Sequence, residues 1–289
     1  MIYYTFVEDI INFPFMQRAL LMAIFIGIVT GVLGSFIILS GKSLMGEAIS
    51  HAILPGVVIS YMLGINYFIG ALLMGLLATY LMSKISQKSK INSDVSIGIV
   101  FTSFFSIGLI LLLKAQTAVD LNNILFGNIL TITKSNMYLT IVIGLIVLIT
   151  IIVFYKAFLI TIFDPTIGKS FGFNIKFFEH LLMVLLTLVV VSSLQAVGVI
   201  LVVSMLITPA ASAYLWTKDF KKMIILSSIF GSLGGVIGLY FSTTFNLSSG
   251  ATIVLVLAFI FIISYLFAKE DGILIKKIKL RKGDLNEKK

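Results

Sequence analysis

Residues 19–39 read ALLMAIFIGIVTGVLGSFIIL, with no charged side chain anywhere in the run. At about 1.5 Å per residue this length crosses the ~30 Å hydrocarbon core of a bilayer as a helix. A helix is required there because lipid offers no hydrogen-bond partners to an exposed backbone. The same reading, carried outward along the chain, finds apolar spans at 17–40, 44–63, 67–86, 94–113, 136–158, 178–196, 198–217, 222–243 and 250–268. Residues 178–217 form one continuous apolar run, which we divide near Gln195 to Gly198. Residues 121–132 are too short to span, and read as a re-entrant or interfacial piece. The expected fold is all-α: a polytopic membrane protein of about eight or nine transmembrane helices. It is read as a single domain over 1–289, embedded through 17–268 and ending in a basic tail at 269–289.

Composition agrees. Of 289 residues, 59% are hydrophobic and only 11% charged, against about 25% charged in soluble domains. The net charge of +9 lies in loops and tail, so it does not describe a nucleic-acid face. With no cysteine, disulfides, thiolate metal sites and iron–sulfur ligation are excluded. Glu8 and Asp9 stand where a signal peptide carries basic residues, so the first apolar segment is expected to be retained. Placing the N-terminus outside and alternating leaves only Arg18, Lys114 and Lys134 outside, of 21 Lys and Arg. That bias predicts an outer N-terminus and a cytoplasmic C-terminus. The tail's charges suit an anionic inner leaflet or are simply the positive-inside signal.

One polar pair interrupts the second span. In Ser43-Leu-Met-Gly-Glu47-Ala-Ile-Ser-His51-Ala-Ile-Leu-Pro55-Gly56 a carboxylate and an imidazole stand four residues apart, on one helix face. Ionisable groups at membrane depth are expensive and mark ion pathways. Pro55 cannot donate to the carbonyl of His51, which adds a potential third donor. Carboxylate oxygen, imidazole nitrogen and carbonyl oxygen suit a borderline cation, with Mn²⁺ favoured over Zn²⁺ by the carboxylate. The plainer alternative is a helix-end carboxylate beside a packed, hydrogen-bonded histidine.

Other polar residues are open to two readings. Ser43 extends the Glu47/His51 face by one turn. Ser204, Thr208 and Ser212 form a stripe on the seventh span, beside Pro209, and either line a cavity or bond their own backbone. Asp120 is either a carboxylate at the outer mouth or a solvated loop residue. His180, at a span edge, reads as structural or interfacial. Asp164 followed by Pro165 reads as the cap and first turn of a short cytoplasmic helix. Gly-x₃-Gly spacings at Gly27/Gly31, Gly231/Gly235 and Gly234/Gly238 mark close packing faces. Gly41-Lys42-Ser43 and Gly168-Lys169-Ser170 look like phosphate-loop endings, but Phe36 and Phe163 replace the required first glycine. No nucleotide site is read from this chain.

Gly34-Ser35-Phe36 followed by the 43–56 motif resembles the signature of the permeases of metal-ion ATP-binding-cassette importers. The resemblance continues through Asp94-Val-Ser-Ile-Gly-Ile-Val-Phe101, Leu125-Phe-Gly-Asn-Ile-Leu130, Phe163-Asp-Pro165 with Gly168 and Gly172, and 195–211. It implies a bacterial cell-membrane subunit that is not itself an enzyme and holds no permanent cofactor. It implies a homodimer whose two copies each bring Glu47 and His51 to a shared cation path. It also implies a separate cytoplasmic ATPase docked on a coupling segment at Asp164, Pro165, Gly168 and Gly172, and an extracellular metal-binding lipoprotein or periplasmic solute-binding protein. Manganese is the expected cargo, with zinc or iron as alternatives. Many members of that family carry Asp where this chain has Glu47. The competing class is a secondary transporter using Glu47 and His51 as a proton relay; it requires inverted repeats, and no match between the halves is seen.

Overall fold

In the computed structural model the described residues are 2–88, 92–115, 129–270 and 272–275, and no strand occurs among them. The helices are α1 (Ile2–Asn12), α2 (Pro14–Leu39), α3 (Leu44–Ala52), α4 (Leu54–Leu63), α5 (Tyr67–Lys88), α6 (Ser93–Lys114), α7 (Lys134–Val153), α8 (Tyr155–Phe163), α9 (Pro165–Ser170), α10 (Ile175–Val197), α11 (Val199–Trp216), α12 (Phe220–Phe245) and α13 (Ser249–Phe267). Counting α3 with α4 as one span, nine spans among the described residues are long and apolar enough to cross a membrane.

Two boundaries carry information. Gly198, at φ +85°, separates α10 from α11 where the long apolar run was divided. That backbone region favours glycine because it has no Cβ. The fifth span is shorter than expected. It stops at Val153, and residues 155–158 belong to α8, because the backbone at Phe154 leaves the helical region (φ −98°, ψ 17°). Helix α1 went unseen in the hydropathy reading. Of the re-entrant piece at 121–132, only a 3₁₀ turn at Ile129–Thr131 and Ile132 lie within the described residues; Ile129 is buried.

The chain forms two compact units. One comprises Met1–Ile38, Ile129–Thr131 and Ser204–Lys289; the other comprises Leu39–Asn128 and Ile132–Val203. In the first, glycines bring α2 and α12 into backbone contact. A Cβ on Gly27 would lie 2.6 Å from the carbonyl carbon of Gly231, and one on Gly31 would lie 2.7 Å from the amide nitrogen of Ser228. Gly234 and Gly238 receive Leu257 and Ile253 of α13 in the same way. The spacings therefore mark packing faces, as small residues do in lipid. Gly231→Leu is expected to destabilise this unit by about 1–3 kcal/mol, since overpacking against backbone has no flexible side chain to yield. Thermal unfolding in nanodiscs measures it; an unchanged midpoint would contradict this packing.

In the second unit α4 crosses α5 at Gly56 and Gly70, each close enough that a Cβ would strike the other's carbonyl oxygen. The hairpin between them turns at Gly64, φ +67°. Interhelical hydrogen bonds join Thr79 and Thr187 (3.0 Å), and the Thr140 hydroxyl donates to the carbonyl of Ser192 (3.0 Å). Buried hydroxyls in lipid need such partners.

Candidate metal-path site

The second span is two helical segments. Ile53 interrupts the α3–α4 pattern but stays right-handed (φ −77°, ψ −13°), and Pro55 occupies the first turn of α4. Proline suits a first turn because its missing N–H is not needed there. The interruption follows His51 by two residues, so the polar pair ends one segment rather than sitting within an unbroken helix.

Ser43, Glu47 and His51 stand at successive i+4 positions, so they share one face and rise about 6 Å per step. Glu47 is exposed, while Ser43 and His51 are half-buried. The Ser43 hydroxyl makes no capping hydrogen bond to α3. Residues on the opposite face, Met45, Ala48, Ile49 and Ala52, are buried. The face bearing the carboxylate is thus turned out of its own unit. α6 lies beside it: the His51 ring centroid is 5.4 Å from that of Phe101, and 5.4 Å from that of Phe105, which meets it edge to face at 81°. Phe101 and Phe105 are themselves 6.1 Å apart and near-parallel. Sequence reasoning missed both. Their one signal was aromatic residues spaced four apart on a span.

The remaining predicted residues fall elsewhere. Asp120 lies outside the described residues. Ser204 and Thr208 are half-buried with their hydroxyl oxygens 3.5 Å apart. Ser212 is fully buried and donates to the carbonyl of Thr208 at 2.8 Å, the self-satisfied alternative for that residue. These three belong to the first unit, whereas Glu47 and His51 belong to the second. Nδ1 of His180 lies 2.6 Å from the carbonyl of Lys176, a bond to its own helix. A cavity of about 250 Å³ opens among Lys42, Met45, Met82, Ser83, Ser86 and Glu179. It meets α3 through Met45, some 200° around the helix from Glu47, and so is separate from the polar face. Among the described residues no three His, Cys, Asp or Glu side chains cluster as a metal site.

The short helix after Asp164 is built as its sequence suggests. Asp164 caps α9, its Oδ1 accepting from the amides of Thr166 (3.0 Å) and Ile167 (2.9 Å), and Pro165 takes the first turn. Gly172 holds φ +80° past the helix end. Gly168 faces inward: a Cβ there would lie 2.6 Å from Cδ1 of Ile175. The outward residues are Phe163, Ile167 and Phe171, 61%, 48% and 72% exposed at i+4 spacing. Asp164→Ala is expected to cost about 1 kcal/mol through the lost cap, and Asp164→Asn to restore most of it. Protease sensitivity at 159–177 distinguishes the two; equal sensitivity would contradict the capping role.

Comparison with known proteins extends these observations. The model of the ABC 3 transport family matches residues 12–268. The manganese transport system membrane protein MntC of Listeria monocytogenes is 53% identical over 272 residues, covering 94% of this chain and 97% of the relative. The manganese import system permease protein ScaB of Streptococcus gordonii is 48% identical, covering 95% and 99%. A solved structure of PsaBC from Streptococcus pneumoniae in complex with Fab superposes with a TM-score of 0.86 at 47% identity, over 95% of this chain and 99% of that one. A family match covering all nine apolar spans, together with relatives this similar over almost their whole length, makes the chain a member of the ABC 3 transport family, the metal-importer permeases that its Glu47/His51 motif resembles.

Proposed function

We propose that this chain is the permease subunit of an ATP-driven importer of divalent transition metal, with Mn²⁺ as cargo, and that Glu47 and His51 hold the ion in transit. The observation that carries the reading is an exposed carboxylate one turn from an imidazole on a single face of a membrane span. Glu47 lies one turn inside the span Leu44–Leu63, and a charged side chain facing lipid within a span is expensive. A second copy of the chain against that face removes the carboxylate from lipid. Two copies related by a two-fold axis supply two carboxylates and two imidazoles, a mixed oxygen and nitrogen set suited to Mn²⁺. Ser43 then lines the inner side of the path. The whole of 1–289 acts as one transmembrane domain, with its N-terminus outside and its tail in the cytoplasm.

A separate ATPase docks on the exposed face of α8–α9 and drives alternating access, and an outer metal-binding lipoprotein or periplasmic protein delivers the ion. The manganese names of the similar permeases support this cargo. Membership of an ATP-binding-cassette family favours it over the proton-relay alternative. Growth of a strain lacking this chain, in metal-depleted medium with Mn²⁺, Zn²⁺ or Fe²⁺ restored singly, tests the assignment. Rescue is expected from a plasmid copy at low Mn²⁺ and only with an ATPase partner competent in hydrolysis. Equal growth with and without the chain in low Mn²⁺ would reject manganese as cargo, and uptake independent of any ATPase would return the secondary-transporter reading.

A further inference from the structure

A carboxylate suits Mg²⁺ and Ca²⁺ as well as Mn²⁺, so a carboxylate and an imidazole alone reject those ions only weakly. The surroundings of His51 supply a physical reason for rejection. The imidazole is bounded on its α6 side by Phe101 and Phe105, both with centroids 5.4 Å away and Phe105 edge to face. Edge-to-face contact is a favoured aromatic geometry and restrains ring rotation. Phe104, between them in sequence, is buried and anchors this stretch of α6 in the unit. The hydroxyls of this stretch of α6 bond to its own backbone. Thr102 donates to Gly98 (2.8 Å), Ser103 to Ile99 (2.7 Å) and Ser106 to Thr102 (2.7 Å), each bonding to a carbonyl one turn back on its own helix. The wall beside the imidazole is therefore aromatic carbon.

Building on the proposed role of Glu47 and His51, we infer that Phe101 and Phe105 set cation selectivity, as positioning residues that fix the imidazole and keep water from its α6 side. A cation held by Glu47 and a ring nitrogen loses its waters where the phenyl rings stand. Mg²⁺ dehydrates reluctantly and keeps several waters, and Ca²⁺ wants six to eight oxygens. Neither regains from one nitrogen what it loses. Mn²⁺ tolerates the exchange, because imidazole nitrogen ranks as a good ligand for borderline metals. Removing the rings lets the imidazole swing and lets water in, which relaxes the discrimination without removing either ligand.

The test is Mn²⁺ binding to the purified permease–ATPase complex, followed by electron paramagnetic resonance with Mg²⁺ and Ca²⁺ as competitors, together with spin-echo detection of nitrogen coupling to bound Mn²⁺. Wild type is expected to show imidazole nitrogen coupling and weak competition. Phe101→Ala/Phe105→Ala should raise the effectiveness of Mg²⁺ as competitor about tenfold, the scale of one aromatic contact, and weaken the nitrogen signal. Phe101→Leu/Phe105→Leu, which stays apolar, should keep most of the rejection. If the alanine pair fails to assemble, Phe105→Asn against Phe105→Leu makes the same wet-versus-dry comparison. An unchanged competition ratio and nitrogen signal in the alanine or asparagine variant overturns the inference. His51→Ala separates the two levels: unchanged Mn²⁺ binding and nitrogen coupling in that variant sinks the Glu47/His51 reading itself.

Discussion

Glu47→Gln should reduce Mn²⁺ uptake by at least about a hundredfold, since even groups that merely support a metal ligand change affinity by 10- to 100-fold. The substitution removes a charge at nearly constant volume. Because the Glu47 side chain is exposed on the face of α3, no core packing changes with it. Loss of transport with normal membrane levels therefore reports electrostatics. His51→Ala should act as strongly, although it keeps the backbone carbonyl next to Pro55. Glu47→Asp tests reach. The shorter acid retains charge but withdraws the oxygens by about one methylene, so partial uptake is expected. The measurement is radiolabelled Mn²⁺ uptake by the assembled importer, with surface expression followed in parallel. Wild-type uptake by both Glu47→Gln and His51→Ala would leave the pair as a helix-end carboxylate and a packed imidazole.

A second large effect is expected at the coupling segment. Ile167→Asp and Phe171→Asp should each lower ATPase co-purification at least about tenfold, by placing charge in an apolar contact that the partner must desolvate. Both side chains already face solvent, 48% and 72% exposed, so neither change disturbs the unit's own core. Gly168→Trp also weakens assembly, but through the interior, because the indole must displace Ile175. Protease resistance of the 159–177 segment tells the two routes apart: it is retained in the aspartate variants and lost in the tryptophan variant. Full ATPase recovery with both aspartate variants would move the docking surface elsewhere on the chain.

The spans were legible because each is a long apolar run, and lipid leaves such a run one backbone solution. Helix α1 was not legible by the same measure. Glu8, Asp9 and Asn12 lower its average hydropathy, and a helix packed by one side, with Phe6 against Tyr240 at 5.2 Å, shows itself in periodicity instead. The early end of the fifth span was hidden for the opposite reason. Phe154 to Phe158 remain mostly apolar across the break, so composition does not change where the backbone turns. The polar face of α3 was legible because charge in lipid is conspicuous. Its aromatic wall was not, since two phenylalanines among many carry no mark of which residue, fifty positions earlier, they touch.

The glycine contacts between α2 and α12 reach beyond packing. Each helix has 26 residues, about 39 Å at 1.5 Å per residue, against a hydrocarbon thickness of ~30 Å. A lone helix of that length adapts by tilting or kinking independently of its neighbours. With Gly27 set against Gly231 and Gly31 against the backbone of Ser227 and Ser228, neither helix changes its slope without carrying the other. The pair thus meets hydrophobic mismatch as one strut, and the acyl-chain length of the host membrane bears on both helices together.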